Sequence, residues 1–181
     1  MKQVTKKIVL TGLALSALSA QAVEINFNPL SILSGATTAD ALLEVDDKIK
    51  VGPSIGFMNL SLNTVNVKAF DIGARGEYAF NGFETNGGYI AGRVYFSNVN
   101  VTVQDDVLSC SSNSTTGTLL GGHAWRFKNG FSAKIGAGFK QVVVMDEGIA
   151  CETNGTLVTT EESESKSQFK LAYEAGISWS F

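Results

Sequence analysis

The last thirteen residues of this 181-residue chain, 169–181, constrain it most. One parity holds Phe169, Leu171, Tyr173, Ala175, Ile177, Trp179 and Phe181; the other holds Lys170, Ala172, Glu174, Gly176, Ser178 and Ser180. An extended strand sends successive side chains to opposite faces, so this stretch has one wholly apolar face and one polar or small face. A helical period would scatter Lys170, Glu174 and Ser178 among the apolar residues. Strands of soluble proteins usually run about five or six residues. A tilted membrane-spanning strand needs about 9–11, apolar along the whole lipid side. The stretch therefore predicts a strand with lipid outside and something polar within.

Alternation and turn residues predict seven more strands. The first covers residues 24–33, with Ile25, Phe27 and Pro29 opposite Glu24, Asn26 and Asn28; Pro29 cannot donate to a ladder and is expected near a strand end or bulge. Next come 37–45, with Asp40 and Leu42 sharing a face, and 49–60, with Ile49, Val51, Ile55 and Phe57 against Lys50, Gly52, Ser54 and Gly56. The clearest internal strand ends at Phe80, and sets Phe70, Ile72, Ala74, Gly76 and Tyr78 against Asp71, Gly73, Arg75 and Glu77. Residues 88–101, 117–127 and 131–144 complete the set. Asp46-Asp47-Lys48, Asn81-Gly82 and Lys128-Asn129-Gly130 mark tight turns. Residues 102–116 and 145–168 read as two long polar loops, which an even up-and-down count puts at one end. The expected fold is all-β, an eight-stranded antiparallel up-and-down transmembrane β-barrel. Only a closed barrel leaves no strand edge unpaired in lipid.

Residues 1–22 read as a signal peptide: Lys2, Lys6 and Lys7, an apolar run, then Ala20-Gln21-Ala22 as cleavage site. The expected mature domain spans 23–181, 159 residues, with 11 basic against 17 acidic side chains and a net charge of −6. That acidity argues against nucleic acid as a partner. Cys110 and Cys151 fall in the two long loops at the same expected end, and an exported chain favours a disulfide between them. Two free thiols are the alternative. No third cysteine or nearby histidine suggests a metal site, and no cofactor motif is present.

The inward parity collects Asp71, Arg75, Glu77, Arg93, Lys134, Lys140, Lys170 and Glu174. The interior of an eight-stranded barrel is about wide enough for side chains to fill, so these charges read as a salt-bridged plug; a narrow ion path is the rival reading. His123, the single histidine, has no serine or carboxylate at strand spacing beside it, so no catalytic residue is assigned. Asp146, Glu147, Glu152, Glu161, Glu162 and Glu164 stand against Lys166 in the last loop. Such a run suits a solvated surface, and could share divalent cations with lipopolysaccharide phosphates.

The signal peptide, the alternating strands and the ending Ile177-Ser178-Trp179-Ser180-Phe181 resemble the small Gram-negative outer-membrane β-barrel superfamily. The run from Ile25 to Leu33 followed by Gly35 also looks like the first hairpin of small barrels in that group. The resemblance implies a monomer in the outer membrane, contacting membrane lipid and lipopolysaccharide. It also implies that Tyr173, Ile177, Trp179 and Phe181 form the signal read by the barrel assembly machinery, and a structural or surface-interaction role without catalysis. Two alternatives remain: a soluble periplasmic lipocalin-like barrel with an apolar interior, and a lipid-modifying barrel enzyme that brings a serine and a carboxylate to His123.

Overall fold

The computed structural model describes residues 22–32, 35–103, 108–144, 150–153, 156–159 and 167–181. The predicted signal peptide, apart from Ala22, lies outside them, as do Asp146, Glu147, Glu161, Glu162, Glu164 and Lys166.

Eight antiparallel strands form a closed ring: β1 (Val23–Phe27), β2 (Ala36–Asp46), β3 (Ile49–Leu62), β4 (Val65–Ala79), β5 (Gly87–Val103), β6 (Leu108–Arg126), β7 (Phe131–Val144) and, last in the chain, β10 (Ser167–Ser180). Neighbours in sequence pair in turn; β5 pairs β6, and β1 pairs β10 to close the circle. Two short strands, β8 (Ala150–Thr153) and β9 (Thr156–Thr159), form a hairpin outside the ring. β8 takes the edge of β6 above the point where β7 ends, at Leu108 to Ser111.

Three sequence expectations change, the first being that β8, β9 and the first two residues of β10 fall within the expected loop 145–168. Residues 102–116 are mostly not a loop: β5 and β6 pair without interruption from Gly87↔Ala124 to Val103↔Leu108, beyond the end of β7 at Val144, while β4 stays paired with β5 up to Val65↔Val103. The first strand stops at Phe27, where one turn of helix, α1 (Pro29–Ile32), replaces it. Asn28 caps that turn by accepting the Leu30 amide at 3.1 Å. Pro29, lacking an amide hydrogen, suits the first helical position.

The wall is apolar outside and polar inside. Tyr78, Phe80, Trp125, Phe127, Phe131 and Trp179 stand near the lower turns, meaning the end where β1 starts. Phe57, Phe70, Phe96, Phe139 and Phe169 form a higher row. Their rings meet across strands: Phe57 and Phe70 at 5.1 Å, Phe139 and Phe169 at 6.5 Å, and Phe131 and Trp179 at 6.2 Å. Phe169 and Trp179 are ten residues apart along β10. At about 3.3 Å per residue and a tilt of about 40°, the band is about 25 Å tall. Above it the outward positions become polar: Asn59, Lys68, Asn98 and Gln141 are exposed. There Asn98 donates to Asn113 and Asn100 to Asn98, both at 2.8 Å.

Candidate functional site

The lower half of the lumen holds a single connected array of charges. Arg75 of β4 donates from Nη1 to Glu174 Oε1 at 2.7 Å, and from Nη2 to Glu174 Oε2 and Glu77 Oε2, both at 3.1 Å. The planar guanidinium suits this two-pronged grip on a carboxylate. Lys134 of β7 uses its donors on Glu24 Oε1 (2.6 Å) and on both oxygens of Glu77 (2.8 and 2.9 Å). Lys50 of β3 donates to Glu24 Oε2 at 2.9 Å. Asp40 of β2 accepts from Arg93 Nη2 at 2.7 Å and from Asn26 Nδ2 at 3.0 Å, and lies 3.6 Å from Arg75. Four buried carboxylates (Glu24, Asp40, Glu77, Glu174) thus meet four cations (Lys50, Arg75, Arg93, Lys134), and this buried array is neutral; Glu44, about a third exposed, adds a fifth carboxylate at its edge, 3.6 Å from Lys50. Neutrality matters because an unpaired buried charge is expensive, whereas a matched set with satisfied hydrogen bonds is tolerated.

Tyr89 completes the packing by donating its hydroxyl to Glu174 Oε2 at 3.1 Å. Its ring has room only because two facing positions lack side chains. A Cβ on Gly136 would stand 2.6 Å from the Tyr89 oxygen, and one on Gly122 would stand 2.8 Å from the ring. Phe83, from the β4–β5 turn, stands in the lower mouth, with the Lys50 ammonium 4.2 Å and the Arg126 guanidinium 5.3 Å from its ring centre. Such contacts suit cations in a partly desolvated site.

The upper half differs. A cavity of about 680 Å³ opens above Glu174 and Arg93, lined also by Asp71, Tyr95 and Lys140. Asp71 and Lys140 make no ion pair with any described residue, and Arg93 Nε has no hydrogen-bond partner among them.

Of the charges the sequence nominates, Arg75, Glu77, Arg93, Lys134 and Glu174 are joined in the array, Asp71 and Lys140 line the cavity above it, and Lys170 is exposed at the rim, outside the array. Glu24, Asn26, Asp40, Lys50 and Tyr89 are not among those nominated. The first four sit on the polar parity of their own strands, a signal the alternation carries. Tyr173, Ile177, Trp179 and Phe181 all face outward along β10 and its end. Cys110 and Cys151 are directly opposed on β6 and β8 and form a disulfide. His123 faces outward with its ring 4.8 Å from that of Trp125. Among the described residues no cluster of histidine, cysteine or carboxylate side chains could hold a metal. The charged interior contradicts the apolar lumen that a lipocalin-like barrel requires.

Apolar wall, charged bore and closed eight-strand ring together define the fold of small outer-membrane β-barrels. Two solved structures share it. The Neisserial surface protein A structure has a TM-score of 0.53 at 14% identity, over 89% of this chain and 96% of that one. A major outer membrane protein from Thermus thermophilus has a TM-score of 0.52 at 14% identity, over 89% and 98%. No protein-family model and no curated protein matches the chain.

Proposed function

We propose that this chain is an integral outer-membrane β-barrel, exported by the signal peptide of residues 1–22. Its role is structural or surface-interactive, with a lumen that side chains fill across the charge array of the lower half, and no catalysis. The observation that carries this reading is the inverted polarity: Phe139, Phe169, Leu171 and Tyr173 are more than half exposed, while Arg75, Lys134 and Glu174 are almost wholly buried. In water that arrangement would expose an apolar surface far larger than soluble monomers show; in a bilayer it is the stable one. The row near the lower turns carries all the tyrosine and tryptophan of the two rings, which suits a membrane–water interface.

The barrel works as a monomer. Its outward β10 residues Tyr173, Ile177, Trp179 and Phe181 present the strand read by the assembly machinery, and its upper connections, with their acidic residues, meet lipopolysaccharide. The neutral array across the bore argues for a plug over an ion path. Density-gradient fractionation of expressing cells is the test. The protein should co-sediment with outer membrane and migrate faster on gels unheated than boiled, and the purified barrel should give no steady conductance in planar bilayers. Recovery in the periplasmic supernatant would sink the reading.

A further inference from the structure

The ring is complete but its wall is not evenly closed. β10 pairs with β7 along thirteen residues, from Ser167 to Trp179. On its other edge it pairs with β1 only from Ile177 to Ser180. Among the described residues no strand takes the β1-side edge of β10 above Ile177, because β1 has given way to α1, which lies against both β2 and β10. That open edge falls between Phe169 and Trp179, at the depth of the apolar band. An unpaired strand edge is not tolerated against hydrocarbon, and survives at that depth only where it borders a polar or water-filled cavity. The upper lumenal cavity meets this requirement. Its lining continues from Lys140 and Arg93 inside to Leu30, Leu171 and Tyr173, three exposed residues of the outer surface.

We propose that this opening admits one glycerophospholipid from the surrounding bilayer. Its phosphodiester is held by the Lys140 ammonium and the free Nε–H of Arg93, and its acyl chains stay outside against Leu30, Leu171 and Tyr173. The phosphate supplies the acceptor that both donors lack. About 680 Å³ lies within the usual range of small-ligand sites. It suits a phosphoglycerol head better than the saccharide of lipid A with its many chains. The proposal rests on the membrane reading above.

Native mass spectrometry of the full-length barrel purified from membranes tests it. The probes are palmitoyl-oleoyl phosphatidylglycerol, the matching diacylglycerol and lipid A. One phosphatidylglycerol should be retained per barrel, at least about 10-fold more than diacylglycerol, as losing a charge-assisted contact implies. Lys140→Ala should lower retention by a similar factor and Lys140→Arg should restore it. Equal retention of diacylglycerol, indifference to Lys140→Ala, or retention of lipid A in place of phosphatidylglycerol overturns the site. The heat-dependent gel shift is read on every sample. A shifted barrel without lipid refutes this inference alone, and a chain that shows no shift refutes the membrane reading and this inference with it.

Discussion

The two halves of the lumen share eight strands and one bore, yet the lower is crossed by a paired charge array, with a pocket of about 480 Å³ at its mouth, and the upper is open around charges that lack ion-pair partners among the described residues. The difference lies in side-chain length at inward positions. Below, Glu24, Lys50, Glu77, Tyr89 and Lys134 reach the axis and find one another. Above, inward positions include Gly56, Gly73, Ser97, Thr118 and Gly138, and the longer Asp71, Tyr95 and Lys140 line a cavity there, Asp71 and Lys140 without an ion pair among the described residues. A barrel of this size is thus not obliged to be a plug throughout. Its sequence decides, row by row, where matter ends and a compartment begins.

That contrast can be broken from either side. Glu174→Ala should have the largest effect, because it removes the two-pronged partner of Arg75, leaving it Glu77 and the more distant Asp40, and strands the Tyr89 hydroxyl in a buried site. Removing one partner of a buried pair costs about 3–5 kcal/mol, read as a lower urea midpoint of the lipid-reconstituted barrel. A loss under about 1 kcal/mol would mean the lower array is not cohesive. Replacing Cys110 and Cys151 by serine opens a closure of 41 residues, worth about 2–4 kcal/mol. The damage should concentrate in the upper connections: faster proteolysis of β8 and β9, with the heat-dependent gel shift kept. If the shift vanished, the hairpin rather than the charge array would be holding the ring. Asp71→Asn should change little, within about 0.5 kcal/mol, since Asp71 has no ion-pair partner among the described residues. A cost of about 2 kcal/mol or more in the same urea titration would erase the distinction between the halves.

How much of this was legible in the chain follows from where lipid contact acts. Within the apolar band each strand has two different environments, and alternation at Phe70 to Phe80 or Phe169 to Phe181 announces both face and register. Above the band both faces meet water, the alternation fades, and the paired arms at residues 102–103 and 108–116 look like loop. The hairpin β8–β9 is hidden for the same reason. The turn at Pro29 reads as strand because Ile25, Phe27 and Pro29 keep the two-residue spacing, although proline's missing donor already marks a ladder's end. Lumenal charges can be nominated from parity, but not their partners. Glu174 meets Arg75 across 99 residues of chain, and no local pattern encodes that distance.

The seam where β1 meets β10 carries one further consequence. Only Glu24 to Phe27 zip against Ile177 to Ser180, with the Phe181 amide reaching the Val23 carbonyl at 3.0 Å. This joint brings together the most widely separated residues of any rung in the ring, Glu24 and Ser180, so it should form late in folding. With so few rungs it should also be the first to part, and amide exchange in the folded barrel should begin there.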